Sequence, residues 1–309
     1  MLLKKQGVIS LGEAFVDLIS VDSTNTKYQQ MLGGATVNVA AGVKRQGIPS
    51  YYLCKFGTNQ LSEFVESELS KERINTNFCV RTSVKDICVV YVHLDEKGER
   101  YFHQYINNTP DVVLTENELD EKVFNKVRIF YFGSGTLFHE TAKRTTMKAL
   151  KFAREANTLI AFDANLRLKR WESASQCRRT VCSQLEHVDI VKLTEEELFF
   201  LTETDLIEDA LKIVSVYNIP YLFITLGSKG AIAVMKGRKV NVPSIEVDAI
   251  DTTGAGDAFM AALLYQFHEK GLPTNLFQLE EYTAYANRVA AMTTTQIGSL
   301  TAMKPDNSL

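Results

Sequence analysis

Short, uninterrupted apolar runs separated by amphipathic stretches recur along this chain, and that rhythm constrains the fold more than any other feature. Ile129-Phe130-Tyr131-Phe132 is continuous rather than alternating, the pattern of a strand covered on both faces and therefore of a parallel sheet. Strands are expected at Val8 to Leu11, Tyr51 to Lys55, Arg128 to Phe132, Leu159 to Asp163, Val188 to Lys192 and Tyr221 to Leu226. Helical periodicity spans Thr36 to Gln46, closed by Gly47, then Leu61 to Arg73, and stretches near 140–156, 173–186 and 194–217. This succession implies an α/β fold: a doubly wound, mostly parallel sheet with helices on both faces.

Two segments break the rhythm. Ile87 to Leu94, the turn Asp95-Glu96-Lys97-Gly98-Glu99 and Arg100 to Ile106 read as a β-hairpin, and Phe15 to Met31 offers further strand-like residues. They form either a small β-lid, about 15–32 and 84–110, or an antiparallel extension of the main sheet. No internal repeat, low-complexity tract or Pro/Gly/Ser linker divides the 309 residues, so residues 1–309 are expected to act as a single domain carrying that appendage.

The formal net charge of −3 and the absence of a polybasic tract argue against nucleic acid or an anionic membrane as partner. The longest apolar runs are strand-length, so a soluble, cytoplasmic protein is expected. Cys54, Cys79, Cys88, Cys177 and Cys182 show no C-x-x-C spacing, which fits reduced thiols better than disulfides or structural zinc.

Chemistry concentrates at Ile250-Asp251-Thr252-Thr253-Gly254-Ala255-Gly256-Asp257-Ala258-Phe259. Gly254, Ala255 and Gly256 have little or no side chain, so their N–H groups can converge on a phosphate where a helix begins. Asp257 stands directly behind them as a base. This suits phosphoryl transfer to a hydroxyl, although a tight turn before a small-residue helix would look the same. A second Gly-Gly step, Leu32-Gly33-Gly34-Ala35-Thr36-Val37-Asn38, opens another such helix. Together the two motifs resemble the ribokinase-like, or PfkB, family of carbohydrate kinases, and the resemblance covers nearly the whole chain.

The resemblance implies a set of roles. Asp17, in Gly12-Glu13-x-x-x-Asp17, would meet sugar hydroxyls, although the bare sequence fits a solvated turn equally. Gly33, Gly34 and Asn38 would join it, with Tyr91 and Tyr105 from the hairpin. Asp163-Ala164-Asn165-Leu166-Arg167 resembles the Asp-x-Asn-x-Arg element of fructokinases and 2-keto-3-deoxygluconate kinases, with Arg167 bridging sugar and phosphate. Lys192 to Glu197 corresponds to the family's Asn-x-x-Glu motif, with Thr194 in place of the asparagine. Glu197 would act on Mg²⁺ through water; the charge run alone reads as a helix start capped by Thr194.

ATP is implied at Thr225, Gly227 and Gly230, with its phosphates at Gly254 and Gly256 and its adenine near Asn287. A monovalent cation, K⁺, is implied at Asp251 with carbonyls near Asp251 and Ser299, and a homodimer through the lid. There is no G-x-x-x-x-G-K-[ST] run and no G-x-G-x-x-G after the first strand, so neither a Walker site nor a Rossmann dehydrogenase fits. The family's lid commonly reads Tyr-Arg where this chain has Tyr105-Ile106. A missing lid arginine would favour a neutral ketose over a sugar acid. The expected function is an ATP- and Mg²⁺-dependent sugar kinase of the fructokinase type. The alternatives are a 2-keto-3-deoxygluconate kinase and a non-catalytic fructokinase-like regulatory protein.

Overall fold

The computed structural model describes residues 5–96 and 98–298. Lys97, in the expected hairpin turn, and Ser299, expected beside a cation, lie outside them. The chain runs β1 (Val8–Leu11), β2 (Phe15–Ser20), β3 (Tyr28–Gly33), α1 (Ala35–Arg45), β4 (Ser50–Leu53), β5 (Lys55–Phe56), α2 (Gln60–Lys71), β6 (Val80–Arg81), β7 (Cys88–Leu94) and β8 (Arg100–Ile106). It continues through β9 (Ile129–Gly133), α3 (Glu140–Glu155), β10 (Leu159–Asp163), α4 (Ala174–Leu185), β11 (Ile190–Thr194), α5 (Glu195–Thr202) and α6 (Ile207–Val214). β12 (Tyr221–Thr225), β13 (Ala231–Met235), β14 (Arg238–Val242), α7 (Ala255–Lys270) and α8 (Leu276–Thr293) follow.

Eight strands form the main sheet in the order β14-β13-β12-β11-β10-β9-β1-β4. Those from β4 to β12 are parallel, and β13 and β14 add an antiparallel edge. Alternation divides the core: Ile129 and Tyr131 enter the layer of α1, α7 and α8, whereas Phe130 and Phe132 enter that of α3 to α6. Burial on both faces is why these strands read as continuous apolar runs. The chain leaves β1 for β4 on one side and returns to β9 on the other. Ligand clefts of open α/β sheets form at the carboxyl ends of strands at such a reversal, and Gly12 follows β1 directly.

The single helix expected over 194–217 is two, α5 and α6. Glu203 ends the first in a left-handed conformation at φ 55°, and the Thr204 hydroxyl accepts from the Leu206 N–H at 3.3 Å, a local bond that competes with helix continuation.

The hairpin and the Phe15 segment form a separate four-stranded sheet, β3-β2-β7-β8, rather than an extension of the main one. Asp17, Val90 and Tyr105 lie in register across it and share one face. The opposite face carries Val16 and Leu32, which bury with residues of α1 and α2. All five cysteines are free thiols, four of them buried. Among the described residues no helix is long and apolar enough to cross a membrane.

Candidate active site

α1 and α7 begin side by side at the carboxyl end of the sheet, each on a glycine in a conformation other residues rarely adopt. Gly34 caps α1 at φ 114° and Gly254 caps α7 at φ 81°. The leading N–H groups of a helix have no upstream carbonyl. That of Ala255 turns back to the Thr252 carbonyl at 3.2 Å, and those of Gly256 and Asp257 point out along the axis, backed by the dipole of a 16-residue helix.

Asn38 Nδ2 donates to Asp257 Oδ2 at 2.7 Å. Burial pushes the Asp257 carboxyl above its ordinary value, while the Asn38 donor and the charges of Lys192 and Arg167 pull it back. Such a balance suits a general base. Asp17 covers Gly33 so closely that a Cβ there would stand 2.2 Å from Oδ2, so Gly33 is a spacer for this carboxylate. Desolvation raises Asp17 to about 6. Arg167 is exposed, donates to the Leu166 carbonyl at 3.1 Å and acts electrostatically on Asp257.

The structure therefore brings Asp17, Gly33, Gly34, Asn38, Arg167 and Asp257 together, and it removes Tyr91. Tyr91 pairs with Leu18 and Gln104 on the sheet face opposite Asp17 and packs edge-on against Tyr28, ring centroids 5.3 Å apart. Val90 holds the inward position. Ile106 pairs with Val89 on that same face, opposite Asp17, so an arginine at this position would not reach the Asp17 side. A guanidinium reaches the four-stranded sheet from elsewhere. Arg170 Nη2 donates to Tyr105 Oη at 2.6 Å, and the group lies 4.4 Å from the Tyr105 ring centroid and 4.3 Å from that of Phe138. In the sequence Arg170 is only the end of a basic run; its one signal is the spacing of three from Arg167.

Glu197 closes a capping box with Thr194. Its Oε2 accepts the Thr194 N–H at 2.8 Å, and the Thr194 hydroxyl accepts the Glu197 N–H at 3.1 Å. Oε1 accepts the Leu166 N–H at 2.7 Å, which pins the start of α5 to the loop carrying Arg167. The lone pairs left on each oxygen suit contact with a metal through water. Among the described residues no group of three or more His, Cys, Asp or Glu side chains gathers as a direct ligand set. Asp251 clasps two loops: its oxygens accept the Thr253 and Gly298 N–H groups, each at 2.9 Å. Burial raises its carboxyl, but these bonds and the Arg100 charge outweigh that and hold it low. An ionised carboxylate of this kind fits a cation.

Thr225 ends β12 with its hydroxyl 3.4 Å from the Leu193 carbonyl, and Gly227, at φ 60°, faces open space. Gly230 is wedged against residues 242–244, where a Cβ would meet the Val242 carbonyl. Asn287, 5% exposed, donates its amide to the Val242 and Pro243 carbonyls at 2.9 and 3.2 Å. Its donors are spent clamping that segment, so the expected adenine contact is not one they can make. Lys192, which the sequence marks only as a strand end and the start of a motif, is a second residue whose place in the site went unread. Lys192 Nζ lies 3.1 Å from Asp163 Oδ1, inside the site; a lysine near the carboxyl end of a buried parallel strand was the available signal.

The profile of the pfkB family carbohydrate kinases matches residues 5–307. A probable fructokinase-5 of Arabidopsis thaliana is 32% identical over 304 residues, 96% of this chain and 94% of the relative. A Vibrio cholerae O395 fructokinase solved with fructose, ADP and calcium ion is 30% identical with a TM-score of 0.84, covering 97% of this chain and 96% of that one. An aminoimidazole riboside kinase of Salmonella enterica, solved with aminoimidazole riboside and an ATP analogue, is 25% identical with a TM-score of 0.83 over 97% of both chains. Profile and relatives alike span almost the full length, and the chain belongs to the pfkB family of carbohydrate kinases.

Proposed function

We propose that the protein is a fructokinase, transferring the γ-phosphoryl group of ATP to a primary hydroxyl of fructose. The observation that carries this reading is the Asn38–Asp257 bond at the mouth of two helices, with Asp17 laid over Gly33 alongside. Asp17, Gly33, Gly34 and Asn38 hold the sugar hydroxyls. The attacking oxygen bonds to the γ-phosphorus as the bond to the β-phosphate oxygen breaks, and Asp257 takes the hydroxyl proton. The N–H groups of Gly256 and Asp257 receive the charge that builds on the phosphoryl oxygens, and Arg167 adds a positive group at the rim. Glu197 would hold Mg²⁺ through water, and the ion supplies charge neutralisation at the phosphates. Asp251 would hold K⁺, bracing the loop ahead of the cradle.

Thr225 and Gly227 meet the nucleotide, while Gly230 and Asn287 shape its wall. Residues 1–309 act as one kinase domain in the cytoplasm. The four-stranded sheet serves as a lid that closes over the sugar and keeps water from consuming ATP, and the part of its face opposite Asp17 that α1 and α2 leave uncovered, with Tyr91 and the exposed Tyr101, is the surface for a homodimer. The test is a coupled ADP-release screen over hexoses, ketoses, sugar acids and nucleosides. Fructose should give the highest kcat/KM; a riboside outranking it would move the assignment. No ADP release with any acceptor, while sugar is still bound, would point to the non-catalytic regulatory protein. A second reading, 2-keto-3-deoxygluconate kinase, has one observation in its favour, the Arg170 guanidinium at the lid.

A further inference from the structure

Lys192 is a charged residue near the end of a buried strand, and none of the steps above uses it. Its Nζ lies 3.1 and 3.2 Å from the two Asp163 oxygens, with the side chains 5% and 0% exposed. Taking such a pair out of water costs more than its own attraction reliably returns, so stability alone is a weak reason to keep it. A second observation lies in the anion loop. Gly256 is helical with no positive φ, so its conformation does not call for glycine. What opposes a side chain there is Lys192: a Cβ would stand 3.1 Å from Nζ and 3.8 Å from Cε. The ammonium therefore rests against the bare Cα of a residue whose N–H heads α7. Burial lowers its proton affinity, but the carboxylates of Asp163, Glu197 and Asp257 more than offset this, and Lys192 stays charged.

We propose that Lys192 is the charged member of the phosphate cradle, oriented by Asp163 so that its ammonium contacts the transferred phosphoryl group beside Gly256. The proposal rests on the kinase reading of the site. Lys192 keeps its proton throughout: the sugar oxygen bonds to phosphorus, the bond to the β-phosphate oxygen breaks with its electron pair leaving on ADP, and Asp257 takes the hydroxyl proton. A full positive charge next to neutral N–H donors then meets the charge as it shifts between those oxygens.

Lys192→Met tests this, alone and combined with Asp163→Asn, in the full-length protein. The readouts are kcat and the ratio of ATP to ADP affinity, titrated without sugar. Both variants should lose roughly a hundred- to a thousand-fold in kcat. The ATP-to-ADP affinity ratio should fall by roughly tenfold or more, with ADP affinity near wild type. The double variant removes both buried ionisable groups and so keeps a wild-type Tm where the single variant is left with a buried carboxyl that has lost its partner and must take up a proton. Recovery of kcat and of the affinity ratio in the double variant would mean that Lys192 merely neutralises Asp163, and would overturn the proposal. An unchanged ratio in the folded single variant overturns it as well. Because the ratio is a binding measurement, it decides on Lys192 independently of whether the sugar screen upholds fructose.

Discussion

Asn38 donates to Asp257 across 219 residues of sequence, Nδ2 to Oδ2 at 2.7 Å. The bond ties the first turns of α1 and α7 together and favours the ionised carboxylate against the burial that pushes its pKa up. Asn38→Ala removes that support, so burial acts with less opposition and the Asp257 pKa should rise further. A base acts only when ionised, so activity at low pH is lost sooner and the acid limb of kcat/KM moves to higher pH by the same amount. A pH–rate profile measures this; an acid limb that stays in place would remove Asn38 from any tuning role.

Asp257→Asn keeps the size of the side chain and removes the proton acceptor. Turnover should fall by roughly two to four orders of magnitude, the range for loss of a positioned general base, with ATP affinity close to wild type. Near-normal kcat in a folded variant would reject Asp257 as the base.

Asp17 weakens the free protein, a cost that its proposed part in sugar recognition explains. Burial raises its pKa from 3.8 to about 6, so between those values the native state binds more protons than the unfolded chain and stability falls as pH rises. Above that window the cost is constant, at most about 3 kcal/mol at about 1.4 kcal/mol per unit. Asp17→Asn should therefore melt higher than wild type at pH 7.5 and lose the advantage near pH 4, while KM for the sugar rises. A Tm gain independent of pH would show that the carboxyl charge is not its source.

What the sequence makes legible is what local pattern encodes. Ile129 to Phe132 announces a buried strand, and the small residues before Asp257 announce a helix start with a carboxylate behind it. The site is less legible wherever a contact spans the chain. Tyr91 and Val90 differ by one step along a strand, and one step exchanges the faces; only the pairing with Asp17 decides between them. Lys192 finds Asp163 29 residues away, Asn287 finds Val242 45 away, and Arg170 finds Tyr105 65 away. Nothing in the flanking residues of these three marks their partners. Glu197 is the mixed case, since its capping box is local and readable while its bond to Leu166 is not.

Arg170 joins the body of the protein to the four-stranded sheet, and under the fructokinase reading substrate choice should turn on it. Its guanidinium is committed to the Tyr105 hydroxyl and to the rings of Tyr105 and Phe138. A neutral ketose leaves that arrangement intact, whereas a sugar acid would need it taken apart to free the charge, so the wild-type enzyme should favour fructose over 2-keto-3-deoxygluconate in kcat/KM. Arg170→Met gives up a charged hydrogen bond and the ring contacts, worth about 1–3 kcal/mol. KM for fructose should rise roughly five- to a hundred-fold with a smaller change in kcat, and ATP hydrolysis without sugar should increase as the lid loosens. Ile106→Arg should leave the preference unchanged, because pairing with Val89 turns that side chain away from the Asp17 face. Steady-state kinetics on both sugars for the three proteins decide the matter. A wild type that prefers the acid, with Arg170→Met abolishing that preference, would make Arg170 the carboxylate receptor and the enzyme a ketodeoxygluconate kinase.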